Sequence, residues 1–372
     1  MLGVILSVVD LAHTVRGWAI FIKEKEMTVS DTRPFKSISE QIKGLEVRGL
    51  QIENISHTTE VLLRNNYYCV INGYKRPFLI RNENGKFLSP ETYNPGTRFS
   101  EIYNLYKMDK ELRSLFLSYI LKFENKMKAV ISYEFSSAYP DEYGYLHFSN
   151  YSSQPEDLSD VLKNIQKLSN KIEIHKNKKY DNAIKHYIKT HKNVPLWVLS
   201  NFLTFGELQY LFLSLDNNVK NEVSKVISTD FKIGTGSKEK IDIEELKMIM
   251  KTANLFRNVC AHDEVLYNYK MGKKIKSQIF TKYFSKNDSF DVSVDSGYCS
   301  ANLFVMLSLL KLVISNKDFK EFVQKLSQIF RKYSSKFKSI PFENIMSDMG
   351  FKTNWKAQLE IKVNAPDNTA NI

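Results

Sequence analysis

The 372-residue chain carries 53 Lys and Arg against 41 Asp and Glu, a formal charge of +12, and 43% of it is hydrophobic. With fourteen Gly and nine Pro, that content excludes disordered, collagen-like and low-complexity classes. The length points to two domains or to one helical core with insertions. Cys69, Cys260 and Cys299 fall at unrelated spacings, which supports neither a disulfide framework nor a zinc-ligand set and fits a reducing, cytoplasmic setting.

Residues 1–27 read as an N-terminal extension. Asp10, His13 and Arg16 interrupt its apolar run, so it makes a poor signal peptide and a poor membrane span, and no stable membrane insertion is expected. Met27 is an alternative start. A small helical module follows over 28–98. Its first helix has Ser39 as cap, Ile42 and Leu45 as apolar repeat and Gly49 as stop. A second helix is predicted over Thr58 to Tyr68. The Pro- and Gly-rich stretch from Tyr74 to Phe99 reads as loop, with a hairpin at Asn84-Gly85.

The core is predicted over 99–140 and 194–335. From Phe99 to Tyr139 apolar residues recur at steps of three and four, giving one long helix or two joined by a kink. Further helices are expected at Leu196 to Leu215, interrupted near Phe205-Gly206, and at Asn218 to Ser228, Ile241 to Ala261, Ser300 to Ser315 and Asp318 to Lys332. Residues 141–193 form a basic insertion with helices near Leu158 to Ile172 and Tyr180 to Thr190. Residues 336–372 read as a C-terminal tail, polar and mobile from Lys356. Strand-like alternation is scarce, so the fold class is an all-α bundle.

Common nucleotide, hydrolase and zincin motifs are missing from the sequence, and no metal or cofactor is implied. Adjacent acids such as Glu244-Glu245 and Asp263-Glu264 diverge by about 100° on a helix and read as solvated. Asp109 and Arg113, four apart, read as a helix-face salt bridge worth a few tenths of a kcal/mol. From Lys163 to Lys192 the chain holds nine Lys and three His against Glu173 and Asp181. Lys163, Lys167, Lys171, Lys176, Lys178, Lys179 and Lys185 are the candidate RNA contacts, since such a field draws polyanions. A plain solvated helix face is the competing reading.

The remaining candidate is Asn254-Leu-Phe-Arg257-Asn258-Val-Cys-Ala-His262, at the C-terminal end of a predicted helix. Leu246, Ile249 or Met250, Ala253, Phe256 and Cys260 make its apolar face, which leaves Arg257, Asn258 and His262 beside or across from it. Arg257 and His262 are about 140° apart on a regular helix. A bent helix end, a wrapping Arg side chain or a second protomer must bring them together. Capping of the helix end by the two cations is the competing reading.

Several stretches in order resemble the bacterial abortive-infection Abi family, the AbiD/AbiF-like group. They are Arg33-Pro34-Phe35 with Gln41 and Arg48-Gly49-Leu50; Asn66-Tyr67-Tyr68 with Gly73-Tyr74 and Pro77-Phe78; Leu105-Tyr106 through Asp109 to Leu112-Arg113; Pro195-Leu-Trp197 with Phe205-Gly206; and Phe256-Arg257-Asn258 to Ala261-His262. Met108-Asp109-Lys110 stands where Phe-Asp-Arg is usual. The resemblance implies a dimeric HEPN-type helical domain acting as an RNA endonuclease in anti-phage defence or a toxin-antitoxin arrangement, with Arg257, Asn258 and His262 catalytic. His262 would move protons, Arg257 would hold the phosphate, Asn258 would orient either, and Tyr267 could stack a base. A non-catalytic module gripping a regulatory RNA and a phage-sensing interaction protein are the alternatives.

Overall fold

The computed structural model describes residues 34–286 and 297–363. The N-terminal extension, including Met27, lies outside them, as do residues 364–372. The all-α prediction holds: a helical bundle with one two-residue antiparallel strand pair, β1 (Ile275–Lys276) with β2 (Tyr298–Cys299).

The axis of the bundle is α3 (Phe99–Ala138), one unbroken helix of 40 residues. It contains neither Gly nor Pro, so nothing in its sequence forces a kink. Ile102, Leu105, Met108, Leu112, Phe116, Phe123, Met127 and Ile131 are fully buried along it. Before α3 come α1 (Ile38–Val47) and α2 (Ile55–Asn65). The cap of α1 is Ser37, in a reciprocal capping box with Glu40, rather than Ser39. The expected stop is in place, Gly49 taking φ +90°. The Asn84-Gly85 hairpin is also present: the Asn82 amide donates to the Lys86 carbonyl at 2.8 Å, and Gly85 supplies the positive φ.

The basic insertion holds α4 (Leu158–Lys176) and α5 (Ala183–His191). The predicted Leu196 to Leu215 helix is split into α6 (Leu196–Leu199) and α7 (Phe205–Ser214), the latter started by a Thr204/Glu207 capping box. Then follow α8 (Asn217–Thr235), α9 (Ile243–Ala261) and α10 (Gln278–Tyr283). The bundle closes with α11 (Leu303–Val313), α12 (Asn316–Ser334) and α13 (Phe342–Asp348). α11 is buried almost all round. α9 lies against α3, α7, α8 and α11, and α12 lies along α3.

The C-terminal expectation needs correction. Phe337, Ile340, Ile345, Met349, Phe351, Trp355 and Leu359 are buried, and Phe330, Phe351 and Trp355 pack their rings edge to face. Residues 336–359 are therefore part of the core and not a tail. The apolar positions here are irregularly spaced between short turns, so no helical period marks them.

Candidate functional site

α9 begins at Asp242, whose side chain accepts from the Glu245 amide while Glu245 closes the box on the Asp242 amide. The Glu245 carboxylate also accepts from Lys282 at 2.9 Å and from the Tyr283 hydroxyl at 2.7 Å, so this acid is structural rather than merely solvated. Leu246, Ile249, Met250, Ala253 and Phe256 are fully buried and Cys260 nearly so, the apolar face read from the sequence. Burial pushes the Cys260 thiol up to about 12, which removes it as a nucleophile near neutral pH.

Arg257 and Asn258 are half-buried on the next strip of α9, and His262 is exposed at its C-cap. Arg257 Nη1 donates to Asn258 Oδ1 at 3.3 Å, and Arg257 Nε is buried with no partner among the described residues. The Asn258 carbonyl accepts from the His262 amide at 2.9 Å. Among the described residues Arg257 meets no carboxylate, the Asn258 carboxamide makes no bond to the imidazole, and neither cationic side chain bonds the last carbonyls of α9. His262 is the C-cap residue of α9 through its backbone amide, and neither side chain adds a bond to the last carbonyls among the described residues. Asn258 contacts Arg257 with its side chain and His262 only through its backbone.

The chain reverses immediately after His262. Asp263 adopts φ +58°, a left-handed conformation usually left to Gly at the end of a helix but open to Asp. The Glu264 amide closes the turn on the Val259 carbonyl at 3.2 Å. What holds the turn comes from α3. Arg113 Nη2 donates to Asp263 Oδ1 at 2.5 Å, and Arg113 Nη1 donates to the Glu264 carbonyl at 3.2 Å and to Asp109 Oδ2 at 2.7 Å. Asp109 Oδ2 also accepts from the Leu266 amide at 2.9 Å and the Tyr74 hydroxyl at 2.7 Å. Asp109 is fully buried and Arg113 nearly so. Burial raises the Asp109 carboxyl, opposed by Arg113 and by the Leu266 amide and Tyr74 hydroxyl.

Sequence reasoning placed Asp109 and Arg113 on one helix face but missed the buried clamp they form on the loop after His262. Their spacing of four residues is the only local signal, and it is the same for exposed pairs. Asp263 is solvent-exposed, as read from the sequence, and also accepts from Arg113 as the outer end of this clamp. Tyr267 is corrected from a possible base-stacking group to core: it is fully buried and stacked on Tyr74, with ring centroids 5.7 Å apart.

The basic insertion docks close to this helix through α7. Lys171 Nζ meets Glu207 Oε1 at 2.8 Å. The neighbouring Gly206 lies against Asn254 of α9, one turn before Arg257 and Asn258. Lys171 is thus committed to an ion pair, Lys163 lies 3.7 Å from Asp160, and Lys167 and Lys178 sit over the rings of Tyr210 and Tyr180. Lys176 and Lys179 are exposed and Lys185 half-buried, and none of the three pairs with a carboxylate among the described residues.

No group of three or more His, Cys, Asp or Glu side chains suited to a metal ion occurs among the described residues. No described helix is long and apolar enough to cross a membrane.

No curated protein and no solved structure matches the chain. The family model described as Abi-like protein matches residues 60–268. That span starts in α2, ends just past Tyr267, and takes in Tyr74, Asp109, Arg113, Arg257 and His262. Because it covers more than half of the chain, this protein belongs to the Abi-like abortive-infection family.

Proposed function

We propose that the protein is a HEPN-type RNA endonuclease of anti-phage defence that needs no metal ion and acts through Arg257 and His262. One observation carries the reading. A half-buried Arg with no carboxylate partner among the described residues and an exposed His share the end of α9, and a buried clamp from α3 fixes the loop that follows them.

RNA supplies its own nucleophile, since the 2′-hydroxyl beside each phosphate is held close by the chain itself. The protein must then move protons and stabilise charge. His262 takes the proton from the 2′-hydroxyl or gives one to the leaving 5′-oxygen, since an imidazole nitrogen can both accept and donate a proton. Arg257 forks two hydrogen bonds onto the phosphate oxygens as charge gathers there. Asn258 keeps the guanidinium directed. A homodimer bringing two α9 ends together would give a composite site across a two-fold axis. Lys176, Lys179 and Lys185, which meet no carboxylate among the described residues, would contact the phosphates of the substrate or of a regulatory RNA.

The test is purified protein incubated with total RNA in EDTA, beside His262→Ala. Cutting by the wild type, with 2′,3′-cyclic phosphate and 5′-hydroxyl ends and loss of cutting but not of binding in His262→Ala, supports the reading. Strict dependence on a divalent ion, or binding without cutting by the wild type, refutes it.

A further inference from the structure

A second basic surface lies along α3 and α12, where the sequence shows no run of lysines. The two helices border a groove of about 880 Å³ lined by Lys107, Lys110, Ser114, Lys325, Gln328 and Lys332, among others. Lys336 follows at the end of α12. Two acids offset part of this charge. Glu111 accepts from Lys332 at 2.5 Å and from the Tyr333 hydroxyl at 2.8 Å, and Glu321 takes Lys325 at 2.6 Å. Lys107, Lys110 and Lys336 have no carboxylate partner among the described residues.

Lys107 is half-buried, its Nζ 4.7 Å from the centre of the Tyr103 ring. Burial pushes its ammonium down from the usual lysine range, and the nearby Lys332 and Lys336 push it further, against the opposing pull of Glu111. The fold thus holds like charges together with too few counter-charges, an arrangement that a polyanion relieves. The groove is also joined to the α9 end by packed rings. Tyr103 stacks on Tyr106, with ring centroids 5.9 Å apart, Tyr106 meets the Tyr74 ring edge to face at 5.6 Å, and the Tyr74 hydroxyl accepts from Arg113, which holds Asp263, the residue after His262. His57 meets the edge of the same Tyr103 ring at 5.9 Å.

We infer that the α3–α12 groove is an RNA-backbone site, with phosphates on Lys107, Lys110 and Lys336 and the strand continuing past Tyr103 toward His262. The inference rests on RNA being the substrate, and it names where the substrate is held beyond the reacting phosphate.

The experiment measures binding of a fluorescein-labelled, unstructured 20-nucleotide RNA by anisotropy, in a His262→Ala background that prevents cutting. Lys107→Glu/Lys110→Glu/Lys336→Glu is expected to weaken binding at least tenfold. It should also flatten the slope of log K against log salt by about 2, from three lost contacts at roughly 0.7 each on a single strand. A control with the same charge change, Lys251→Glu/Lys273→Glu/Lys274→Glu, is expected to alter affinity less than threefold. The milder triple Lys→Gln replaces the groove variant if circular dichroism shows the Glu version unfolded, and triple Lys→Arg should restore binding. Wild-type affinity in the groove variant overturns the inference, as does an equal loss in the control. Loss of binding to phosphatidylserine vesicles with RNA binding intact also overturns it and assigns the groove to a membrane surface. If the wild type fails to cut RNA while groove-dependent binding stands, the nuclease reading falls and the groove assignment survives.

Discussion

The Arg113 guanidinium, in the middle of α3, donates at 2.5 Å to the carboxylate of Asp263, 150 residues later in the chain and next to His262. The same guanidinium holds Asp109 and the Glu264 carbonyl. A turn that would otherwise be an exposed helix end is thereby fastened to the long central helix of the bundle. Catalytic groups need such fixing, because a displacement of about 1 Å at a reacting atom can cost on the order of a hundredfold in rate.

Arg113→Met leaves the fully buried Asp109 without its counterion. Breaking a buried pair from one side costs about 3–5 kcal/mol, and that loss is expected in urea unfolding. Asp109→Asn/Arg113→Met should recover part of it, since no charge is then stranded. A double variant no more stable than Arg113→Met would show that the charge on Asp109 is not what destabilises the single one.

Asp263 separates backbone strain from ion pairing. Asp263→Gly and Asp263→Ala both remove the bond to Arg113, but only Gly adopts φ +58° without a steric cost. The Gly variant should be more stable than the Ala variant by about 1 kcal/mol. Equal urea midpoints would mean that the left-handed turn is not retained.

At the α9 end, Arg257→Lys keeps the charge and loses the planar fork. Expected is a fall in kcat of about tenfold or more with RNA binding little changed, whereas His262→Ala should lower kcat by about 10²–10⁴. Wild-type turnover by either variant would exclude that side chain from the chemistry.

Gly350 takes φ +87°, and a Cβ there would lie 2.2 Å from Asn302 Nδ2. Asn302 caps α11 by accepting from the Val305 amide at 3.0 Å. Gly350→Ala therefore strains the turn and displaces the cap, with an expected loss of about 2 kcal/mol. A melting temperature equal to that of the wild type would refute this account.

His175 packs on Phe202, ring centroids 4.5 Å apart, and its Nδ1 is buried without a partner among the described residues. Burial lowers its pKa first, and Lys178 and Lys171 lower it further. The folded state thus binds the proton less readily than the unfolded one. This contribution to stability is complete above about 6.5, the unfolded imidazole value, and is lost as pH falls from there through the lower folded value. Urea midpoints should drop between pH 7.5 and 5.5 more in the wild type than in His175→Gln. An equal drop in both would assign the pH dependence to other groups.

The sequence by itself determined the elements and their faces. The period of three to four in α3, the apolar stripe of α9, the Gly49 stop and the Asn84-Gly85 turn are local properties, set by side-chain geometry within a few residues. They placed Arg257, Asn258 and His262 off the buried face of one helix end. Only the tertiary structure decided that Asp109 and Arg113 are a buried clamp, that Tyr267 is core, that residues 336–359 are packed, and that Lys107 and Lys332 share one groove. Each of these depends on which segments meet in space. The energy of a charge or a ring is set by that burial and those partners, and neither is encoded in the spacing of its neighbours along the chain.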